Sequence, residues 1–334
     1  VLLGVLLGPA VVSKLHMFDN LTALGPIIAF AAGWIGLLYG MQFERKSVMA
    51  VSDRSIRLGV MDALGTATAV TAAAYFVFES GVMGVTEGSD TKVAALVMGC
   101  AAAAGSTSAV DLMRVRYPAL KTKLLDLVRR TAQVGDVIAI IGFGLIFCFF
   151  HQGNVRPGVG SLDETDWLFA TLLLGVILGA LFTIFLGESR DENTRFLALT
   201  GIIIFASGAA YLLHLSALLV NLILGAIIVN GRAGEGVYET LVGTLRPIRL
   251  ILLVFAGALW TPVDPLLAVM LASGYMLVRL LAKVLNIWAA SIGTPLRSDI
   301  YRGLLSQGDV ALAMAVSFQL VYDGDLVDLA YTAK

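Results

Sequence analysis

Runs of about 20 apolar residues recur along this chain with short polar stretches between them, and a run of that length crosses a hydrocarbon core of about 30 Å as an α-helix. In lipid every main-chain polar group has to be satisfied inside the protein, so repeated runs of this length mean a bundle of spanning helices. The composition agrees. Hydrophobic residues make up 58% of the 334 positions, charged residues 14%, and the mean hydropathy is +0.87, outside the range of soluble domains. The 35 glycines, many flanked by Ala or Ser, are costly in a soluble helix but permit close helix approach in a bilayer.

The apolar runs predict helices near 1–12, 22–42, 58–78, 92–111, 125–150, 166–187, 195–213, 215–230, 246–262, 265–290 and 302–321. The expected fold class is therefore all-α, a polytopic membrane helix bundle. Strict alternation puts Arg45, Lys46, Arg54, Arg57, Arg114, Arg116, Lys121, Lys123, Arg232, Arg246 and Arg249 on one side, which the positive-inside rule marks as cytoplasmic. A net charge of −1 gives no reason to expect a nucleic-acid partner. Cys100 and Cys148 lie inside apolar runs without metal-ligand spacing and read as small buried hydrophobes. The stretches Leu2–Pro9 and Leu222–Asn230 are alike and run in opposite directions in this topology; an inverted repeat would leave such a trace, and so would chance among aliphatic residues.

Ionisable groups inside the runs are the candidates for function, because an aspartate at the bilayer centre costs about 2.5–3.5 kcal/mol on insertion scales. Asp136 is the deepest, followed by a long uninterrupted apolar run and preceded by the cytoplasmic charges. It reads either as an ion or proton site or as a structural carboxylate paired to another helix. Arg279 and Lys283 stand four residues apart on one helical face. Either they pair with Asp136 across the bundle, relieving both desolvation penalties, or they snorkel to the surface. Asp62 and Asp111 lie nearer the cytoplasmic ends, where such groups either line an attracting vestibule or reach water; Asp62 is expected simply to reach water.

Two segments carry break signals. Gly105-Ser106-Thr107-Ser108 follows a run of small residues, and a break there would free carbonyls that, with the hydroxyls, suit a dehydrated alkali cation. A continuous helix with its hydroxyls bonded to the preceding turn is the alternative. The second segment is Gly303 to Asp309, containing Ser306, Gln307 and Gly308.

The order of these pieces resembles the monovalent cation/proton antiporters of the sodium/proton exchanger and glutathione-gated potassium efflux type, over nearly the whole chain. The matching pieces are the opening Leu-Leu-Gly-Pro run, Gly36-Leu37-Leu38-Tyr39-Gly40-Met41-Gln42, the Ser106-Thr107-Ser108 segment, the helix of Asp136, the helix of Arg279 and Lys283, and the helix of Gln307 and Gly308. The resemblance implies inverted repeats, with two broken helices that cross. It also implies a cation/proton site at Asp136 with Ser106, Thr107 and Ser108, supporting charge at Lys283 or Arg279, and a second crossing at Gln307, Gly308 and Asp309.

It implies further a multi-pass homodimer of the cell membrane, a bacterial inner membrane in the first instance, that exchanges Na⁺ or K⁺ for H⁺ without a cofactor or resident metal. By the same resemblance, 1–334 is one transport domain lacking about one helix at each end. Gly135 departs from the relatives, which carry Asp, Asn or Gln there, and a single carboxylate points to electroneutral exchange. Two other classes stand beside this reading. One is a cation channel or a sodium-coupled organic-anion symporter on similar repeats. The other is an intramembrane aspartyl protease, suggested by Gln133-Val134-Gly135-Asp136 and Tyr322-Asp323, although that motif needs Gly where Gln133 stands.

Overall fold

The computed structural model describes residues 1, 4–5, 24–49, 51–80, 89–117, 122–151, 163–186, 192–231, 238, 241, 243–260, 264–292 and 300–322. They form α1 (Gly25–Gly40), a 3₁₀ turn (Met41–Phe43), α2 (Arg45–Met49), α3 (Asp53–Glu79), α4 (Ser89–Ala103), α5 (Thr107–Arg116), α6 (Thr122–Phe149) and α7 (Glu164–Leu186). The order continues with α8 (Glu192–Leu212), α9 (Ala217–Asn230), α10 (Leu245–Ala258), α11 (Pro265–Ser291), α12 (Tyr301–Leu304) and α13 (Asp309–Val321). Most of the expected 1–12 helix, the Leu2–Pro9 stretch and Asp323 lie outside the described residues.

Among the described residues seven segments are long and apolar enough to span a membrane: Gly25–Phe43, Asp53–Glu79, Thr91–Arg116, Lys123–Phe149, Glu164–Phe185, Leu266–Ser291 and Tyr301–Val321. Phe196–Leu212 and Ala217–Asn230 are shorter apolar helices. The chain is an all-helical, multi-pass membrane protein. Helix ends differ from the hydropathy limits because caps set them: α3 starts at Asp53, where Ser52 Oγ accepts from the Ser55 N–H at 3.3 Å, and so includes Arg54 and Arg57.

The chain forms two compact units. The first comprises Val1–Ala50, Phe143–Leu259 and Leu320–Tyr322. In it α1 lies along α9 with backbone nearly touching backbone: a Cβ on Gly36 would run into the Leu218 carbonyl, one on Gly40 into that of Leu222, and one on Gly225 into that of Leu37. This small-residue seam is the lipid-bilayer way of holding two helices. Asn230 fastens its end, donating to the Phe43 carbonyl at 2.9 Å and accepting from the Arg45 N–H at 3.0 Å.

At the end of α6 the His151 ring stacks on Trp167 with centroids 3.6 Å apart and lies 6.3 Å from His214. Burial pushes the His151 pKa down, His214 adds to this, and a hydrogen bond with the Phe147 backbone opposes it.

The second unit comprises Val51–Gly142, Trp260–Gln319 and Asp323–Lys334. In it α3 packs on α4 and on α11, and Leu58, Val110, Leu125, Val128, Ile287 and Leu304 belong to one buried apolar cluster.

Two outcomes are expected. Gly36→Leu lowers the melting temperature of the detergent-solubilised protein through an overpacking cost of about 1–3 kcal/mol or more, whereas Gly208→Ala, whose Cβ meets nothing within 4 Å, raises it through a gain of about 0.8 kcal/mol. For His151 the unfolded chain takes up a proton below about pH 6.5 more readily than the folded one. Stability contributed by the neutral ring is therefore present above that pH and lost as pH falls through the depressed folded value; melting curves of His151→Phe between pH 8 and 5 should show a shallower acid-side loss than wild type.

Candidate functional site

All parts of the site lie in the second unit. The span Thr91–Arg116 is interrupted: α4 ends at Ala103, Ala104 to Ser106 are not helical, and α5 begins at Thr107. Ser106 is extended at φ −141°, ψ 102°, and its Oγ accepts from the Ala109 N–H at 3.2 Å, so this serine starts a new helix instead of bonding back to the old one. The span Tyr301–Val321 is interrupted likewise, with Leu305 to Gly308 non-helical between α12 and α13.

The two breaks cross in contact. A Cβ on Gly308 would lie 3.1 Å from the Ser106 Cα and 2.7 Å from the Gly105 carbonyl oxygen, the latter closer than a real Cβ comes to a backbone atom. Glycine at 308 is what lets the two backbones meet.

Each break leaves one helix end with unpaired carbonyls and begins another with unpaired N–H groups. Arg279, buried on α11, answers the first need. Its Nε donates to Ala102 O at 3.0 Å, its Nη2 to Ala104 O at 3.1 Å, and its Nη1 to Leu305 O. One planar guanidinium thus caps the C-terminal ends of α4 and α12 together, where the helix dipoles place negative charge. Asp136 on α6, 0% exposed, answers the second: its Oδ1 accepts from the Gly105 N–H at 2.7 Å. A Cβ on Gly105 would sit 3.2 Å from Ala132 Cβ, so α6 passes directly against the first break.

Gln307, within the second break, donates through Nε2 to the Tyr275 hydroxyl at 2.6 Å and to Ala101 O at 3.2 Å. Ser106 is buried, Thr107, Ser108, Gly308 and Asp309 are half-buried, and Ser306 Oγ is buried without a hydrogen-bond partner among the described residues.

Lys283, also 0% exposed, pairs with Asp62, its Nζ 2.7 Å from Asp62 Oδ2. Asp62 Oδ1 further accepts from Thr66 Oγ1 at 3.4 Å, and Asn286 Nδ2 donates to Thr66 Oγ1 at 3.3 Å. This corrects the sequence expectation for Asp62: it is buried, not water-facing, because a buried ammonium one helix away leaves it a partner that replaces water. Neither Arg279 nor Lys283 snorkels. Arg279 donates to main-chain carbonyls and Lys283 to Asp62, and the Asp136 charge acts on both. Asp111 is held 3.3 Å from Arg129 Nε, with both side chains partly exposed.

The carbonyls freed by the breaks were expected to await a cation, yet Arg279 and Gln307 already hold those of Ala101, Ala102, Ala104 and Leu305. Tyr275, Thr66 and Asn286 escaped sequence reading, although a signal was there: Tyr275, Arg279, Lys283 and Asn286 follow at i, i+4, i+8 and i+11 on α11, and Asp62 and Thr66 at i, i+4 on α3. Among the described residues no group of three or more His, Cys, Asp or Glu could hold a metal ion.

No family model matches the chain, and no curated protein sequence does. Solved structures do. The sodium proton antiporter MjNhaP1 from Methanocaldococcus jannaschii, in its structure at pH 8, superposes with a TM-score of 0.60 at 17% identity, covering 99% of this chain and 87% of that one. At this identity the likeness establishes the fold: the chain has the architecture of that antiporter.

For the buried pair, removal of either partner (Lys283→Met or Asp62→Leu) should cost about 3–5 kcal/mol, whereas the double variant recovers most of that loss. Thermal denaturation followed by Trp fluorescence in detergent checks it; equal losses for the single and double variants would contradict the pairing.

Proposed function

We propose that this chain is a secondary active antiporter that exchanges a monovalent cation, Na⁺ or K⁺, for protons, with the Asp136 carboxylate as the shared site. The observation that carries this reading is the buried Asp136, hydrogen-bonded to the N–H of Gly105 at the point where two interrupted helices cross. Ionisable residues inside membrane spans are rare and mark ion or proton pathways. The fold shared with a sodium proton antiporter supports the same conclusion.

In the cycle, ionised Asp136 takes the cation with help from oxygens of the breaks, the Ser106, Thr107, Ser108 and Ser306 hydroxyls being the nearest in sequence to the crossing. A proton arriving at the carboxylate displaces it. Either ligand neutralises Asp136, and the site opens alternately to the two sides of the membrane. Lys283 is paired with Asp62 at 2.7 Å, and Arg279 is bonded to the carbonyls of the breaks. One carboxylate then carries one proton or one cation, so exchange is one for one and electroneutral. Gln307, Gly308 and Asp309 form the second wall of the site, and the working assembly is a homodimer in the cell membrane.

In proteoliposomes with an internal pH dye, external Na⁺ or K⁺ should drive proton efflux through wild type, and Asp136→Asn should reduce the signal to that of protein-free liposomes. The apparent KM for the cation should fall by about tenfold per unit rise in pH while the proton occupies most sites, the mass-action result of one proton competing for one site. Wild-type exchange by Asp136→Asn would falsify the proposal, and cation conductance without proton movement would mark a channel.

A further inference from the structure

Away from the aspartate, the second unit holds an apolar cavity of about 280 Å³ between α3, α4 and α11. Ala74, Phe78 and Met98 form a buried wall, Tyr275 stands at its inner side, and Val77 and Met270 line it from the surface, Met270 being 60% exposed. Of the side chains that line it, only that of Tyr275 carries a hydroxyl, and that hydroxyl already accepts from Gln307.

A void of this size and character does not stay empty in a working protein. Native interiors hold few voids larger than a water molecule, water does not enter a cavity without polar partners, and an apolar space of roughly 150 Å³ already admits a benzene ring. The exposed residues of its lining are Val77 and Met270, and the same two helices, α3 and α11, present Phe76, Leu266, Val269 and Leu277 outward, Phe76 at 74% exposure. Both helices are long and apolar enough to span a bilayer. Apolar side chains exposed along such helices face hydrocarbon, so the solvent at the mouth of the cavity is lipid.

We propose that one acyl chain of a bilayer lipid enters between α3 and α11 and occupies this cavity, ending against the ring of Tyr275. The occupant must be slender, flexible and apolar, since the lining gives neither a charge nor a free polar group to a headgroup, a nucleotide or a solute ion. It must also reach the protein sideways, through the face that lipid covers. An acyl chain meets both conditions. Its terminus buttresses the Tyr275 ring, whose hydroxyl receives the Gln307 amide of the second break, so a lipid-sized ligand is one side chain removed from the crossing. Insertion needs only that α3 and α11 lie in a bilayer, and so stands or falls separately from ion exchange at Asp136.

The test uses the full chain in phosphatidylcholine liposomes doped with a phosphatidylcholine that carries a photoactivatable diazirine midway along one acyl chain. After photolysis, peptide mass spectrometry should find label on Phe78 and Met98, which are buried and beyond the reach of lipid that merely surrounds the protein, as well as on outward residues such as Leu277. Gly274→Leu fills the cavity from a position whose Cβ meets nothing within 4 Å, and should reduce label on Phe78 and Met98 by about tenfold or more while leaving Leu277 labelled as before; Ala73→Leu serves if the first variant does not fold. Wild type labelled on Leu277 but not on Phe78 or Met98 overturns the proposal, whatever the variants do. So does undiminished labelling of those two residues in a folded, cavity-filled variant.

Discussion

One guanidinium makes the interrupted helices possible. Breaking a helix inside a membrane strands main-chain carbonyls where no water can reach them, at several kcal/mol for each group, and this chain does so twice at one place. Arg279 meets the ends of α4 and α12 with three of its N–H bearing nitrogens. A lysine could not do this, because an ammonium is a point charge without the flat fork that spans three oxygens. The burial of Arg279 is tolerable for the same reason, since its N–H groups are taken up by carbonyl oxygens and the C-terminus of α4 carries roughly half a negative charge. The crossing therefore depends on a cation fixed by the protein.

The acidic groups divide along the same line. Asp62 forms a direct ion pair with Lys283, whereas Asp136 accepts a hydrogen bond from the main-chain N–H of Gly105 in the first break. This difference in partner, more than depth or burial, separates the two aspartates, for both are buried.

Much of this was legible in the letters, and the remainder was not for identifiable reasons. Among the described residues the positions of the apolar spans followed from hydropathy because the bilayer thickness imposes them, while caps moved their ends. The breaks at Ser106 and Gly308 were visible because polar and glycine residues in an apolar run carry a penalty that needs a reason. The wrong expectations concerned partners. Asp62 lies within reach of the helix end in sequence, and nothing local tells that Lys283, 221 positions later, is folded against it. The backbone acceptors of Arg279 were illegible for a deeper reason: a carbonyl oxygen has no sequence signature, so a cation whose partners are main chain looks unpaired until the fold is known.

The buried charges also bear on stoichiometry. Among the described residues, Asp62, Asp136, Arg279 and Lys283 are the buried ionisable residues with charged side chains, and all belong to the second unit. With Asp136 ionised the four formal charges cancel; with a proton or a monovalent cation added the sum becomes +1 in either case. In the proposed cycle the two loaded states are thus electrically identical, and exchanging one for the other would move no net charge through this unit. The empty state differs from both by one charge, so the electrical cost of its passage differs from that of the loaded forms. Coupling between the two ions follows if that difference makes the empty unit the slow one to reorient.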